Sequence, residues 1–365
     1  MAQSREFDVR AAARSHLANF QGFEPADPLE VMAARAGIPE DRIVRLNANE
    51  NPYGPSPKVA EALQSLAANI YPDPQQRAAR RAVSKATGAD VEQIVVGAGS
   101  DEIIDLLFRL LVGPEDSVVE CSPTFGMYGF GARLAGARCI SVPRDDRFEI
   151  DLEDTLDSID STTKIVFLNS PNNPTGNLVQ DAHLRAILDT GSLVVVDEAY
   201  YEYAGASFLD LTAQYGNLVV LRTLSKWAGL AGLRVGYGVM APDLASALLD
   251  IKQPYNLTLA AEAGLIASLD DAEYLMENVR KIVAERDRLF GLLQALPGVE
   301  PWPSRANYIL FKVPVGRAKQ LFDGLASQGI FLRMFSHPRL KDHIRTSVGT
   351  PEQSDALIVA LEELV

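Results

Sequence analysis

Lys226 stands between Ser225 and Trp227, directly after the apolar run 218–221 and eight residues before Arg234. A lysine in a dry cleft at a strand end resists protonation, because burial disfavours its charged form. As a neutral amine it can attack a carbonyl and form a Schiff base. Thr223, Ser225 and Arg234 could hold a phosphate beside it, the arginine as a charged, forked partner. A carbonyl and a phosphate on one small molecule point to pyridoxal phosphate. The competing reading is a surface lysine beside a glycine-rich turn, and the neighbours of Lys226 argue against it.

Two other polar clusters follow apolar runs in the same way. Residues 165–168 lead into Asn169-Ser170-Pro171-Asn172-Asn173-Pro174-Thr175-Gly176, and residues 193–196 lead into Asp197-Glu198-Ala199-Tyr200. Open α/β sheets bind ligands at the carboxyl ends of their strands. Three consecutive strand tips that deliver amide, carboxylate with phenol, and amine therefore suggest one convergent site. Asp197 could pair with the pyridine nitrogen of the cofactor and keep it protonated, which makes the ring an electron sink; it could equally cap a helix. Tyr200 and Asn173 could bond the phenolic oxygen, although Tyr200 alone also reads as a packed aromatic. A cis bond at Pro174 is expected as an extra feature of the turn.

Gly97-Ala98-Gly99-Ser100-Asp101-Glu102 joins a strand-like run to a helical one and presents free N–H groups, a ready phosphate site. A dinucleotide fingerprint fails here, because Glu102 stands where a third small residue is needed. Phe125 follows a strand and could stack on a pyridine ring or pack in the core. Arg345 interrupts an apolar segment and reads either as a surface ion pair or as a forked clamp on a carboxylate.

The elements that must position these residues are legible as apolar runs at 94–96, 118–119, 139–142, 165–168, 193–196, 218–221 and 235–240. Continuous runs of this kind suit parallel strands covered by helices on both faces. The expected fold class is α/β, with a large doubly wound, mostly parallel sheet domain over 48–255 and a smaller α+β domain over 256–365. Residues 1–47 read as an arm or part of the small domain. Helices are expected at 57–70 and 273–296 from their apolar spacing, and strands at 308–313, 330–334 and 344–348.

The 365 residues carry a net charge of −14 and 47% hydrophobic residues, which excludes a disordered chain and argues against nucleic-acid and anionic-membrane partners. The two cysteines and four histidines form no metal-ligand spacing. No apolar run is long enough for a membrane span and no signal peptide is seen, so a reducing cytoplasm is the expected setting.

With these segments assembled, the chain resembles the pyridoxal-phosphate aminotransferases of fold type I, and most closely the histidinol-phosphate aminotransferases. The resemblance rests on residues 46–54, 71–73, 99–102, 171–176, 197–200, 223–234 and 345–349. It implies that Lys226 holds the cofactor, Asp197 pairs with the ring nitrogen, Asn173 and Tyr200 meet the phenolic oxygen, and Phe125 stacks on the ring. Gly99, Ser100, Asp101, Thr223, Ser225 and Arg234 would bind the phosphate. It implies a homodimer in which Tyr53 reaches the neighbouring subunit's cofactor phosphate. Arg345 would clamp the substrate's carboxyl-equivalent end or the keto acid, Arg333 a distal phosphate, with Asn49 and Phe23 near the substrate. Three positions depart from the family pattern: Phe125 replaces tyrosine, Gly22-Phe23 replaces Pro-Tyr, and Trp227 replaces a small residue. An aromatic or broad-specificity amino-acid aminotransferase, a pyridoxal-dependent decarboxylase of a phosphorylated amino acid, a nicotinamide dehydrogenase and a non-catalytic binding module are the rival functions.

Overall fold

The computed structural model describes residues 7–18, 20, 22, 25 and 27–365. In chain order, β1 (Val44–Arg45) precedes seven strands: β2 (Ile94–Gly97), β3 (Ser117–Ser122), β4 (Arg138–Pro143), β5 (Thr163–Asn169), β6 (Leu193–Asp197), β7 (Leu218–Thr223) and β8 (Gly236–Val239). β9 (Glu300–Pro301), β10 (Tyr308–Lys312), β11 (Ile330–Phe331) and β12 (His343–Ser347) follow.

The seven-stranded sheet runs β2-β8-β7-β6-β5-β3-β4, with β8 antiparallel to both neighbours and the remaining pairs parallel. Alternate residues of its strands feed two separate cores. Val96, Val119, Val166, Val194, Val196 and Val220 face one side. Val95, Val118, Ile165, Phe167, Val195, Val219 and Leu221 face the other. A strand that must bury both faces has no polar face to alternate with, which is why these strands appear as unbroken apolar runs.

Register sets the site. Asn169 pairs with Asp197, and Asp197 with Leu221, so the carboxyl ends of β5, β6 and β7 finish in one row.

The second region holds an antiparallel sheet β12-β10-β9 and the parallel pair β1-β11, linked by a bridge between Arg333 and Arg345. The long helix Ala272–Ala295 serves both regions. Leu275, Val279 and Ile282 pack with the large-sheet core, whereas Leu289 and Leu293 pack with Phe311, Ile344 and Leu357. The passage from one core to the other therefore lies along this helix. The helix expected over 57–70 ends earlier, spanning Pro57–Gln64, with Ser65 turning back to the Ala62 carbonyl. Ile70 is consequently exposed rather than on an apolar helix face. No described helix is long and apolar enough to cross a membrane.

Candidate active site

Lys226 follows β7, and its amine donates to the Ala48 carbonyl at 2.9 Å while lying 6.0 Å from the centre of the Tyr200 ring. Burial, reinforced by the charge of Arg345, lowers its pKa to about 8, so a neutral amine is accessible near neutrality. Asp197 ends β6 and is buried. Tyr128 donates to one carboxylate oxygen at 2.9 Å and the Ala199 N–H to the other at 3.1 Å. Burial nevertheless raises its pKa to about 6, because two neutral donors do not replace water around a carboxylate. Such a carboxylate calls for a cationic partner, and a protonated ring nitrogen is one.

The turn that carries Asp197 is fastened from beneath. Glu198 accepts two bonds at 3.1 Å from the buried Arg222 guanidinium and one at 2.8 Å from Ser207. Arg222 in turn lies 3.5 Å from the centre of the Tyr201 ring. A buried pair of this geometry is costly to break on one side, which holds the tips of β6 and β7 together. On the β5 side, the Asn169 side chain donates to the Asp197 carbonyl at 2.9 Å and accepts from the Asn173 N–H at 2.7 Å. The bond before Pro174 is cis, as are those before Pro123 and Pro171.

Tyr200 accepts a bond from Asn49 at 3.1 Å, and Asn49 has its N–H on the Ser347 hydroxyl at 2.8 Å. The Asn173 side-chain amide oxygen (Oδ1) accepts from Arg345 at 2.6 Å. A second Arg345 nitrogen donates to the Asn47 carbonyl at 2.8 Å, and its buried Nε has no partner among the described residues. Arg333 and Arg345 exchange backbone bonds of 3.0 and 2.8 Å, which makes the two arginines cross-strand neighbours. Burial first, then the charge of Arg333, lowers the Arg345 pKa. Side chains of a directly opposed pair leave one face of the ladder, so the two arginines bring positive charge to the same side.

On the other side of Lys226, Thr223 donates to Ser225 at 3.0 Å, and Arg234 reaches Ser225 at 3.3 Å and Asp101 at 3.1 Å. Ser100 and Asp101 open the helix Ser100–Leu111, whose first N–H groups lack intrahelical partners. Gly99 has φ +80°, and a Cβ there would come within 2.7 Å of the Arg234 guanidinium. Hydroxyls, arginine and helix N-terminus thus converge near a cleft of about 290 Å3 lined by Ser225, Gly229, Ala231 and Gly232 together with Arg45, Glu50 and Asn51. The residues fit pyridoxal phosphate: a free amine, an acid for the ring nitrogen and a cradle for the phosphate.

Phe125 is half-buried and meets Tyr128, the donor to Asp197, edge-on at 5.7 Å. Tyr53 does not join the cluster within one chain; the Lys281 amine lies 5.2 Å from its ring centre. Phe23 lies outside the described residues. Trp227 is buried in the large-sheet core, and its carbonyl accepts from Asn51 at 2.7 Å. Tyr128, the donor to Asp197, is absent from the sequence-based set. Its only signal is its place three residues after Phe125, in the first turn of the helix Met127–Ala135.

The model of aminotransferase class I and II matches residues 41–361. The histidinol-phosphate aminotransferase of Roseiflexus castenholzii is 46% identical, over 98% of this chain and 99% of that protein. The chloroplastic histidinol-phosphate aminotransferase of Nicotiana tabacum is 45% identical, over 96% of this chain and 86% of that one. Among solved structures, the histidinol-phosphate aminotransferase from Sinorhizobium meliloti in complex with pyridoxal-5'-phosphate superposes with a TM-score of 0.87 at 29% identity, covering 100% of this chain and 98% of that one.

Proposed function

The chain belongs to the class I and II aminotransferases, and from that premise we propose that it moves the amino group of L-histidinol phosphate to 2-oxoglutarate, giving imidazole-acetol phosphate and L-glutamate in histidine biosynthesis. The observation that carries the reading is the pairing, on adjacent strand tips, of an amine with a lowered pKa and a buried acid with a raised one. Near-full-length relatives of that name support the substrate.

Pyridoxal phosphate, when bound, supplies an aldehyde that condenses with amines and a ring that accepts the electron pair left when the substrate Cα–H bond breaks. Lys226 would hold that aldehyde, and once released its neutral amine takes the proton from the substrate carbon and later returns it. Asp197 keeps the proton on the ring nitrogen. Tyr200 and Asn173, each already bonded to a substrate-side residue, fix the ring's oxygen edge. Thr223, Ser225, Arg234 and the N–H groups of Ser100 and Asp101 would hold the phosphate, and Phe125 would pack against the ring. Arg345 binds the carboxylate of glutamate or 2-oxoglutarate, and Arg333 the phosphate of the donor.

A homodimer and a cytoplasmic setting complete the reading; the two free cysteines and the exposed aromatic pair Tyr71 and Tyr255 support them. Lys226→Ala is expected to remove both the yellow absorbance of the cofactor-loaded protein and turnover. Near-normal turnover in that variant would sink the assignment. kcat/KM for histidinol phosphate is expected to exceed that for phenylalanine, each measured with 2-oxoglutarate.

A further inference from the structure

Behind the Gly97–Asp101 loop lies a set of buried and half-buried polar contacts that touch no reacting group. Gln76 is 1% exposed and has φ +54°, a left-handed conformation that a glutamine rarely adopts. Its amide donates to the Val96 carbonyl at 2.6 Å and accepts from the Val96 N–H at 3.1 Å. β2 is the edge of the seven-stranded sheet, so the side chain pairs with the backbone as an added strand would. The same amide nitrogen donates to Asn256 at 2.8 Å.

Asn256 passes the contact on, donating to Glu102 at 2.8 Å and to the Val96 carbonyl at 3.3 Å. Glu102, in the first turn of its helix, accepts from the Ala98 N–H at 2.5 Å. Its carboxylate reaches back along the chain and spends itself on a loop N–H. The N–H groups of Ser100 and Asp101 are left for an anion. Lys252 locks the two outer turns together, donating to the carbonyls of Pro74 at 2.8 Å and of Gln253 and Pro254 at 3.2 Å.

We propose that Gln76, Asn256 and Glu102 are positioning residues: a clasp that fixes the strand exit and the helix start so that the loop between them meets the cofactor phosphate. The inference rests on the cofactor reading above. It also gives a role to Glu102, the residue that breaks the dinucleotide pattern. A phosphate seat made of N–H groups depends on their direction, and a loop free to tilt loses charge-assisted bonds one by one.

The test compares pyridoxal phosphate with pyridoxal, which has the same aldehyde and ring but no phosphate. Cofactor-free wild type, Gln76→Gly, Asn256→Ala and Glu102→Gln are titrated with each, following the yellow absorbance. Glycine accepts the left-handed backbone at position 76, so that variant removes the amide without adding strain. Affinity for pyridoxal phosphate is expected to fall roughly 10-fold to 100-fold in Gln76→Gly and Asn256→Ala, the cost of one or two charged hydrogen bonds. Affinity for pyridoxal should stay near wild type, and Glu102→Gln, which retains an acceptor for Ala98, should lie between. Equal losses for both ligands, or no loss for either, overturn the clasp. A wild type that colours with neither ligand overturns the cofactor reading instead, which separates the two failures.

Discussion

Two titrating side chains set the chemistry at the scale of single residues, and they are shifted in opposite senses for one reason. Burial favours the neutral form of each, so the amine of Lys226 falls to about 8 and the carboxyl of Asp197 rises to about 6. Capture of pyridoxal phosphate by the cofactor-free protein requires the neutral amine, so its rate should rise with pH to a plateau, with a midpoint near 8. Arg345→Gln removes the second cause of that shift and should move the midpoint upward, which stopped-flow absorbance against pH would show. For Asp197 the folded-state pKa lies above the ordinary 3.8, so its contribution to stability is complete in acid and is lost as pH rises through about 6. At pH 8 the cofactor-free protein therefore carries a buried, strained charge. Asp197→Asn should raise the melting temperature of that form, by an amount equivalent to roughly 1–3 kcal/mol, while abolishing transamination. A lower melting temperature would show that Tyr128 and Ala199 satisfy the ionised group after all.

Six of the seven strands of the large sheet stood out in the sequence because they are buried on both faces; β4, at the outer edge, is half-exposed and shows the short run 139–142. What the runs did not reveal was direction: β8 is antiparallel, and nothing in residues 236–239 distinguishes that from a parallel strand. The three strand-tip clusters were legible because the donors sit directly after their strands. Tyr128 was not, because its bond to Asp197 spans 69 positions and depends on how the helix Met127–Ala135 lies on the sheet. The same limit hid Gln76 and Asn256, whose partners lie 20 and 154 positions away. Close approach of two segments also escapes sequence patterns, and Gly229 is an example. With φ +69°, a Cβ there would stand 2.6 Å from the backbone of Gly54, where the segment that carries Asn49 and Asn51 crosses the lysine loop. Gly205 has φ +67° and open space around it. Gly205→Ala should therefore report the backbone penalty alone, about 1 kcal/mol, whereas Gly229→Ala should cost about 2 kcal/mol or more. Paired chemical denaturation of the two variants isolates the clash. Equal losses would mean that the Gly54 segment yields freely.

For the whole molecule the question is how an acidic chain presents two anion seats and what completes its surface. The net charge of −14 repels a phosphorylated donor and a dicarboxylate acceptor at long range, so capture depends on Arg234, Arg333 and Arg345 acting within a few ångströms. Arg333→Ala is expected to raise KM for histidinol phosphate about 10-fold to 100-fold and to leave KM for 2-oxoglutarate nearly unchanged, since only the donor carries a phosphate. Equal rises for both substrates would assign Arg333 to the carboxylate instead. The same charge opposes self-association, so a homodimer must bury enough apolar surface to overcome it. Tyr71 and Tyr255 stack at 4.4 Å yet remain 75% and 48% exposed, beside the exposed Ile70. An isolated chain gains little from an ordered aromatic pair in water, whereas a second copy seated on it would bury both rings. Sedimentation velocity should show a dimer for the wild type at micromolar concentration. The double variant Tyr71→Ser with Tyr255→Ser should shift the population toward monomer, and more so at low ionic strength, where charge repulsion is less screened. A dimer unaffected by that change would place the interface elsewhere, and a monomeric wild type with full activity would remove the shared-site reading altogether.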